Sequence, residues 1–370
     1  MRKTWVALAV LGAFAGVAQA QSSVTLYGIV DVNYMWQELP TVVGSTVTQE
    51  SKSSINSGHQ SGSRWGMRGS EDLGGGLKAI FTLEGGYSPD TGTLGQGGRI
   101  FGRQAWAGLE GGWGKVVAGR IATFSSGTGS FYMTGNVDPF STGFGLAGLG
   151  NTMYSMNALR LDNSVAYQTP KWAGFQFGAG YSLNANGNEA APSSKNTDVL
   201  FLGANWQGGP FFVMVTYDTA DGGSGSPDQK HLQVGGTFDI GPFRLHAAYA
   251  DQSNIGTVPA IGQGGSGAFV NLPAGIKSFD TNAYMLGATW NLGAFSLFGS
   301  WQMQDADSKP IAGTNANFDP DFNIWALGGT WNLSRRTNLY VSYASRNADG
   351  SLIDNSFNGK DLALGMRNLF

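Results

Sequence analysis

The feature that most constrains this chain is a two-residue alternation that recurs along it and never supplies a second apolar face. Phe175, Phe177, Ala179, Tyr181 and Leu183 fall on one side of an extended segment, and Gln176, Gly178, Gly180 and Ser182 on the other. Tyr284, Leu286, Ala288, Trp290 and Leu292 oppose Ala283, Met285, Gly287, Thr289 and Asn291. Phe295, Leu297, Gly299, Trp301 and Met303 oppose Ser296, Phe298, Ser300, Gln302 and Gln304. The closing segment sets Leu362, Leu364, Met366, Asn368 and Phe370 against Asp361, Ala363, Gly365, Arg367 and Leu369. A period of two is the period of a strand. The second face is mostly Gln, Asn, Ser and Gly, not a packable apolar core. A soluble sandwich buries its apolar faces against each other; a wide barrel turns them outward to lipid and its polar faces to a wet lumen.

Charge decides between these two. Charged residues are 13% of the chain, about half the quarter typical of soluble domains. Beyond the first twenty residues, no window is apolar for the roughly 18 residues a helical span needs. Only helices and closed sheets satisfy their backbone in lipid. The expected fold is therefore all-β, a transmembrane antiparallel barrel. At the N-terminus, Arg2 and Lys3 precede an apolar run over 4–17 and the small-residue site Ala18-Gln19-Ala20. This reads as a signal peptide over 1–20, with one barrel domain over 21–370. The alternative, a membrane anchor, needs a longer run. Twenty-two basic and 25 acidic residues become 20 and 25 once Arg2 and Lys3 are removed, a net charge of −5. No general basic surface for nucleic acid remains. The absence of Cys excludes disulfides and thiolate metal sites.

Connections alternate in length. Short ones fall at 70–76, 110–114, 171–174, 207–210, 241–242, 293 and 334–337; long ones at 37–59, 88–98, 122–159, 184–196, 220–229, 252–278, 305–321 and 347–358. Seven and eight make fifteen connections, which join sixteen strands; counts of 14 or 18 also satisfy the pattern. Short turns on one side of the membrane and long loops on the other are expected of outer-membrane barrels. Tyr27, Trp36, Trp106, Trp113, Trp172, Trp206, Tyr217, Trp290 and Trp331 lie near strand ends, where aromatic rings favour the membrane boundary.

Particular segments resemble a known family. Val24-Thr25-Leu26-Tyr27-Gly28-Ile29-Val30-Asp31, Ser63-Arg64-Trp65-Gly66-Met67-Arg68-Gly69-Ser70-Glu71-Asp72-Leu73-Gly74, Arg103-Gln104-Ala105-Trp106-Ala107-Gly108-Leu109 and Asn163-Ser164-Val165-Ala166-Tyr167-Gln168-Thr169-Pro170 are similar to the general diffusion porins of β-proteobacteria. So are Leu333-Ser334-Arg335-Arg336-Thr337-Asn338-Leu339-Tyr340 and the terminal Phe370, which resembles the insertion signal of outer-membrane barrels. The stretch from about 184 to 277 matches by pattern alone. The resemblance implies a sixteen-stranded, homotrimeric, water-filled pore in the Gram-negative outer membrane, in contact with lipid and lipopolysaccharide. It implies no cofactor, and a third long loop, 122–159, folded into the lumen. The segment Asp138-Pro139-Phe140-Ser141-Thr142-Gly143-Phe144-Gly145 is similar to the tip of that loop. Asp138 is the sole carboxylate between 122 and 161, fewer acids than the family pattern carries.

A narrow aqueous gap between low-dielectric walls focuses the field of few charges. Candidate wall residues are Arg64 and Arg68, four apart on one face; Arg103, with Ala105 and Ala107 on its side; Arg120, where the loop begins; and Arg160, where the resemblance places a pore arginine. Facing them is Asp138. Five arginines against one acid imply a preference for anions among small hydrophilic solutes. Arg244, His246, Arg346 and Arg367, and Asp31, Asp198, Asp239 and Asp361, also point lumenward by alternation. A channel dedicated to sugars, phosphate or organic anions is the alternative, kept open by Phe131, Tyr132, Phe140 and Phe144. No catalytic constellation surrounds His59, His231 or His246. The segment Glu110–Val116 lacks the Ser or Thr and the helix of a phosphate loop. Asp305, Asp307, Asp319 and Asp321 share an external loop, where solvation competes with divalent-cation binding.

Overall fold

The computed structural model describes residues 23–43, 46–152, 160–185, 187–193, 196–223, 226–257, 275–311, 319, 321–348 and 358–370. The expected signal peptide lies outside them. Strands follow in the order β1 (Ser23–Val43), β2 (Thr46–Ser57), β3 (Arg64–Gly74), β4 (Leu77–Ser88), β5 (Thr93–Leu94), β6 (Gln104–Gly111), β7 (Gly114–Ile121), β8 (Leu161–Gln168) and β9 (Phe175–Ser182). They continue as β10 (Val199–Gly208), β11 (Phe211–Ala220), β12 (Gln229–Ile240), β13 (Phe243–Ile255), β14 (Ile276–Leu292), β15 (Phe295–Pro310), β16 (Phe322–Asn332), β17 (Thr337–Ala348) and β18 (Gly359–Leu369).

These eighteen strands make sixteen staves. The lower part of β1 pairs with β3 and its upper part with β2, so β2 and β3 form one stave interrupted at 58–63. The two-residue β5 pairs only with the end of β4. Removing these two from eighteen leaves sixteen, each antiparallel to its neighbours. β1 also pairs with β18 from Ile29↔Leu369 to Glu38↔Lys360, which closes the barrel and leaves no edge to recruit another chain. At the seam the Gly28 N–H donates to the Phe370 carbonyl at 3.0 Å and receives the reverse bond at 3.1 Å.

One expected loop is a strand pair. Residues 37–59 read as a long connection, yet β1 runs to Val43 and β2 returns from Thr46 in continuous register. This hairpin is rich in Thr, Ser and Gln on both faces. With neither face apolar, it carries no alternation to read.

The strand faces follow the two-residue period. Leu286, Leu297, Trp325, Leu327, Leu364 and Met366 are exposed on the outside, while Gln233, Gln302, Gln304, Asp361 and Ala363 are buried inside. Stacked rings ring the outer surface near the short turns: Phe211 with Phe238 at 4.9 Å, Phe243 with Trp290 at 5.4 Å, Phe295 with Trp331 at 5.6 Å. Trp106 and Tyr27 do not join this girdle. Trp106 is 7% exposed and donates its indole N–H to Gln104, while the Tyr27 hydroxyl donates to Glu84. Their register partners, Thr82 and Gly66, set both on the lumenal face. Asp198 departs too: it accepts from Tyr181, whose ring is exposed on the outer side.

The third long connection enters the barrel. Phe124, Phe131, Met133, Val137 and Leu149 form an apolar cluster with wall residues Val117, Phe201, Met214 and Met285. Phe140, Phe144 and Leu146 form another with Phe298, Ile324 and Tyr340. Each buried aromatic or aliphatic side chain is worth about 1.5–3 kcal/mol relative to exposure, so the loop is fixed to the wall.

Candidate functional site at the lumenal constriction

The loop follows the inner wall from β7 round to β18. The Thr134 hydroxyl donates to Gln233 at 2.6 Å, and the Gln302 amide donates to the Ala147 carbonyl at 2.6 Å. The Leu146 N–H donates to Asp361 at 2.9 Å. The Phe144 N–H donates to the His59 carbonyl, and His59 Nε2 lies 2.8 Å from the Ser342 hydroxyl. The interruption between β2 and β3 therefore meets the loop tip inside the barrel. His59 stacks on Tyr340 and sits edge-on to Phe144. Burial lowers its pKa to about 4 and holds it neutral.

The opposite wall is charged. Arg64 opens β3 and donates to the Gly62 carbonyl at 2.8 Å. Arg103 sits just before β6; its backbone N–H donates to the Glu84 carbonyl at 3.0 Å and its Nε to the Glu84 carboxylate at 2.7 Å. Arg160 lies just before β8, with Nη2 3.2 Å from the Thr128 hydroxyl. Burial, with Arg103 and Arg64 alongside, pulls the Arg160 guanidinium below its ordinary pKa. The same three arginines and Glu84 feel one another's charge. The structure thus brings Arg64, Arg103 and Arg160 into one group around Glu84. Three guanidiniums against one carboxylate leave two positive charges. The Nη2 of Arg103 is buried with no hydrogen-bond partner among the described residues.

Two expected members are engaged differently, although the charge of Arg120 still acts on Arg160. Arg68 shares the lumenal face with Arg64 but lies over the Tyr27 ring at 5.4 Å. Arg120 pairs with Asp162 at 2.5 Å, and Arg99 pairs with the same carboxylate at 2.8 Å. Gly119 has φ of +136° and the register slips beside it, so strict alternation fails at Arg120. Nor do Ala105 and Ala107 flank Arg103 on its face. The ladder starts at Gln104, which pairs with lumenal Glu84, and Arg103 precedes it.

Asp138 departs furthest from expectation. It is 3% exposed, and its carboxylate accepts backbone N–H groups of Phe140 at 2.9 Å, Thr142 at 2.7 Å and Leu149 at 2.9 Å. It organises the loop tip from within. Burial pushes its carboxyl up to about 6, against the pull of those three donors. The acid that meets the arginines is Glu84, which sequence reasoning missed. Its signal was present: a lone carboxylate on the face opposite Phe81 and Leu83, with Thr82.

Of the remaining lumenal expectations, Arg244 pairs with Asp239 at 2.5 Å, and His246 Nδ1 lies 3.0 Å from the Val137 carbonyl. Arg346 lies over Phe322, and Arg367 donates to Asn338 at 3.1 Å. Asp31 accepts from the Tyr340 hydroxyl at 2.6 Å. In the external loop, Asp319 and Asp321 accept the N–H groups of Ser308 and Ala306. No cluster of metal-ligating side chains forms among the described residues.

Comparison with known proteins fits this geometry. A family model for Gram-negative porins matches residues 7–351. An outer membrane porin protein of Bordetella pertussis is 38% identical over 379 residues, covering 93% of this chain and 94% of the relative. Outer membrane porin protein 32 of Delftia acidovorans is 34% identical over 365 residues, covering 95% of this chain and 92% of the relative. Among solved structures, an anion-selective porin from Comamonas acidovorans superposes with a TM-score of 0.70 at 25% identity, over 95% of this chain and all of the other.

Proposed function

The chain belongs to the Gram-negative porin family, and on that premise we propose that it forms a water-filled, anion-preferring channel for passive diffusion of ions and small hydrophilic solutes. It is an outer-membrane barrel, and its relatives are porins rather than enzymes. The observation that carries the anion preference is the group of Arg64, Arg103 and Arg160 around a single Glu84. Asp138, the sole carboxylate of the loop opposite, spends its oxygens on backbone N–H groups. A passing anion meets two uncompensated positive charges in a narrow gap, where a focused field is felt strongly. The anion-selective porin from Comamonas acidovorans supports the same reading.

The proposal extends to the whole molecule. The leader 1–20 is cleaved on export, residues 21–370 form the barrel, and three copies associate in a membrane of lipid and lipopolysaccharide. Reversal potentials of purified protein in planar bilayers under a salt gradient test the preference; cation preference would remove it. A dedicated solute channel is the second reading. Tyr132, 41% exposed, borders a cavity of about 500 Å³ lined also by Gln176, Asn205, Gln207 and Asn291. Conductance that saturates with one sugar or organic anion would favour it.

A further inference from the structure

Among the described residues, four lumenal glycines of β9 to β14 stand where the infolded loop touches the wall. Gly178 of β9 and Gly203 of β10 are direct register partners, and both receive Phe124. A Cβ at Gly178 would overlap the Phe124 ring. One at Gly203 would lie 2.7 Å from Phe124 Cβ and 2.9 Å from Met133 Sδ. At Gly235 of β12 it would lie 3.1 Å from Val137, and at Gly287 of β14 2.5 Å from Pro139 Cγ. None of the four has a positive φ. The backbone does not require glycine at any of them, and a glycine within a strand weakens it. What the missing Cβ supplies is room.

The room is used in sequence order. Phe124, Met133, Val137 and Pro139 enter notches on β9, β10, β12 and β14 as the loop travels round the barrel. Phe124, Met133 and Val137 are fully buried there. Phe124 is further held by Phe201 at 5.6 Å and Phe131 at 6.2 Å. Hydrogen bonds from the Thr134 hydroxyl to Gln233 and from His246 Nδ1 to the Val137 carbonyl fix the loop between the notches. Arg64 and Arg103 stand at the starts of β3 and β6, whereas Arg160 already reaches the loop through the Thr128 hydroxyl at 3.2 Å.

We propose that Gly178, Gly203, Gly235 and Gly287 are positioning residues that set the width of the pore. They let the loop lie flat on the far wall and so keep it back from Arg64 and Arg103. A side chain in any notch lifts the loop off the wall toward Arg64 and Arg103 and narrows the gap. The inference rests on the channel reading but concerns residues that no solute touches.

Single-channel recording of Gly178→Ala and Gly235→Ala tests it. Conductance falls by about twofold in Gly178→Ala, since gap width governs passage, and by less in Gly235→Ala, where the overlap is smaller. The rescue is specific. Shortening the loop side chain in Gly178→Ala/Phe124→Ala and in Gly235→Ala/Val137→Ala returns conductance toward that of the unsubstituted protein. Unchanged conductance in both single variants overturns the proposal. So does a rise, which would mean that the wall holds the loop in rather than back, and so does failure of both double variants to recover. If Gly178→Ala does not assemble, the Gly235 pair alone decides. Absence of current from the unsubstituted protein overturns the channel reading itself, whereas normal current with indifferent glycine variants overturns the seat alone.

Discussion

The two halves of the lumen obey the same alternation and have opposite interiors. On β3, β4 and just before β6 and β8, the interior carries Arg64, Glu84, Arg103 and Arg160, held by a carbonyl, an ion pair and a hydroxyl. From β9 to β17, inward positions carry glycine, Phe201, Met214, Met285 and Phe298, and the loop covers them. Alternation says only which residues face inward. Whether that interior is wet or packed depends on what another segment brings to it.

The sharpest way to break this contrast is to discharge the arginine side. Replacing Arg64, Arg103 and Arg160 together by Ser leaves Glu84 unopposed and should turn anion preference into cation preference, seen as a sign change in reversal potential. The packed side should respond differently. Phe140 is fully buried, and its ring lies 4.9 Å from Phe298. Phe140→Ala should cost about 3–5 kcal/mol of packing and raise open-channel noise while the sign of the reversal potential holds.

A smaller effect should come from acid. His59 has a native pKa of about 4 against an ordinary 6.5. The unfolded chain binds the proton first, so stability from this site is full above pH 6.5 and is lost as pH falls toward 4. The thermal unfolding midpoint should drop across that window, and His59→Asn should flatten the dependence. The least response is expected from Arg120→Ser. Its partner Asp162 keeps Arg99, so ion preference should move by less than the change made by Arg103→Ser in the same bilayer assay. An equal change would place Arg120 with the pore arginines.

The barrel was legible because lipid imposes a rule on every second residue of β9 to β18. The sixteen staves and the infolded third loop followed from connection lengths and the family segments. Illegible features lie where that rule lapses. The hairpin of β1 and β2 has no apolar face beyond Trp36. Arg120 is displaced by an irregularity at Gly119, and Arg103 stands one residue outside its ladder. Asp138 looked like a pore acid because its sequence neighbours gave no hint that three backbone N–H groups would converge on it. The glycines at 178, 203, 235 and 287 were visible, but their partners lie tens of residues away.

The staves differ greatly in length. β6, β7, β8 and β9 have 8 residues each, whereas β14 has 17 and β15 has 16. At a tilt of about 45° and a rise of about 3.3 Å per residue, eight residues climb about 19 Å, short of an apolar band about 25 Å tall. Sixteen climb about 37 Å. The collar that the molecule offers its surroundings is lopsided, and hydrophobic mismatch is concentrated on one flank. There the bilayer must thin, or give up its place to protein.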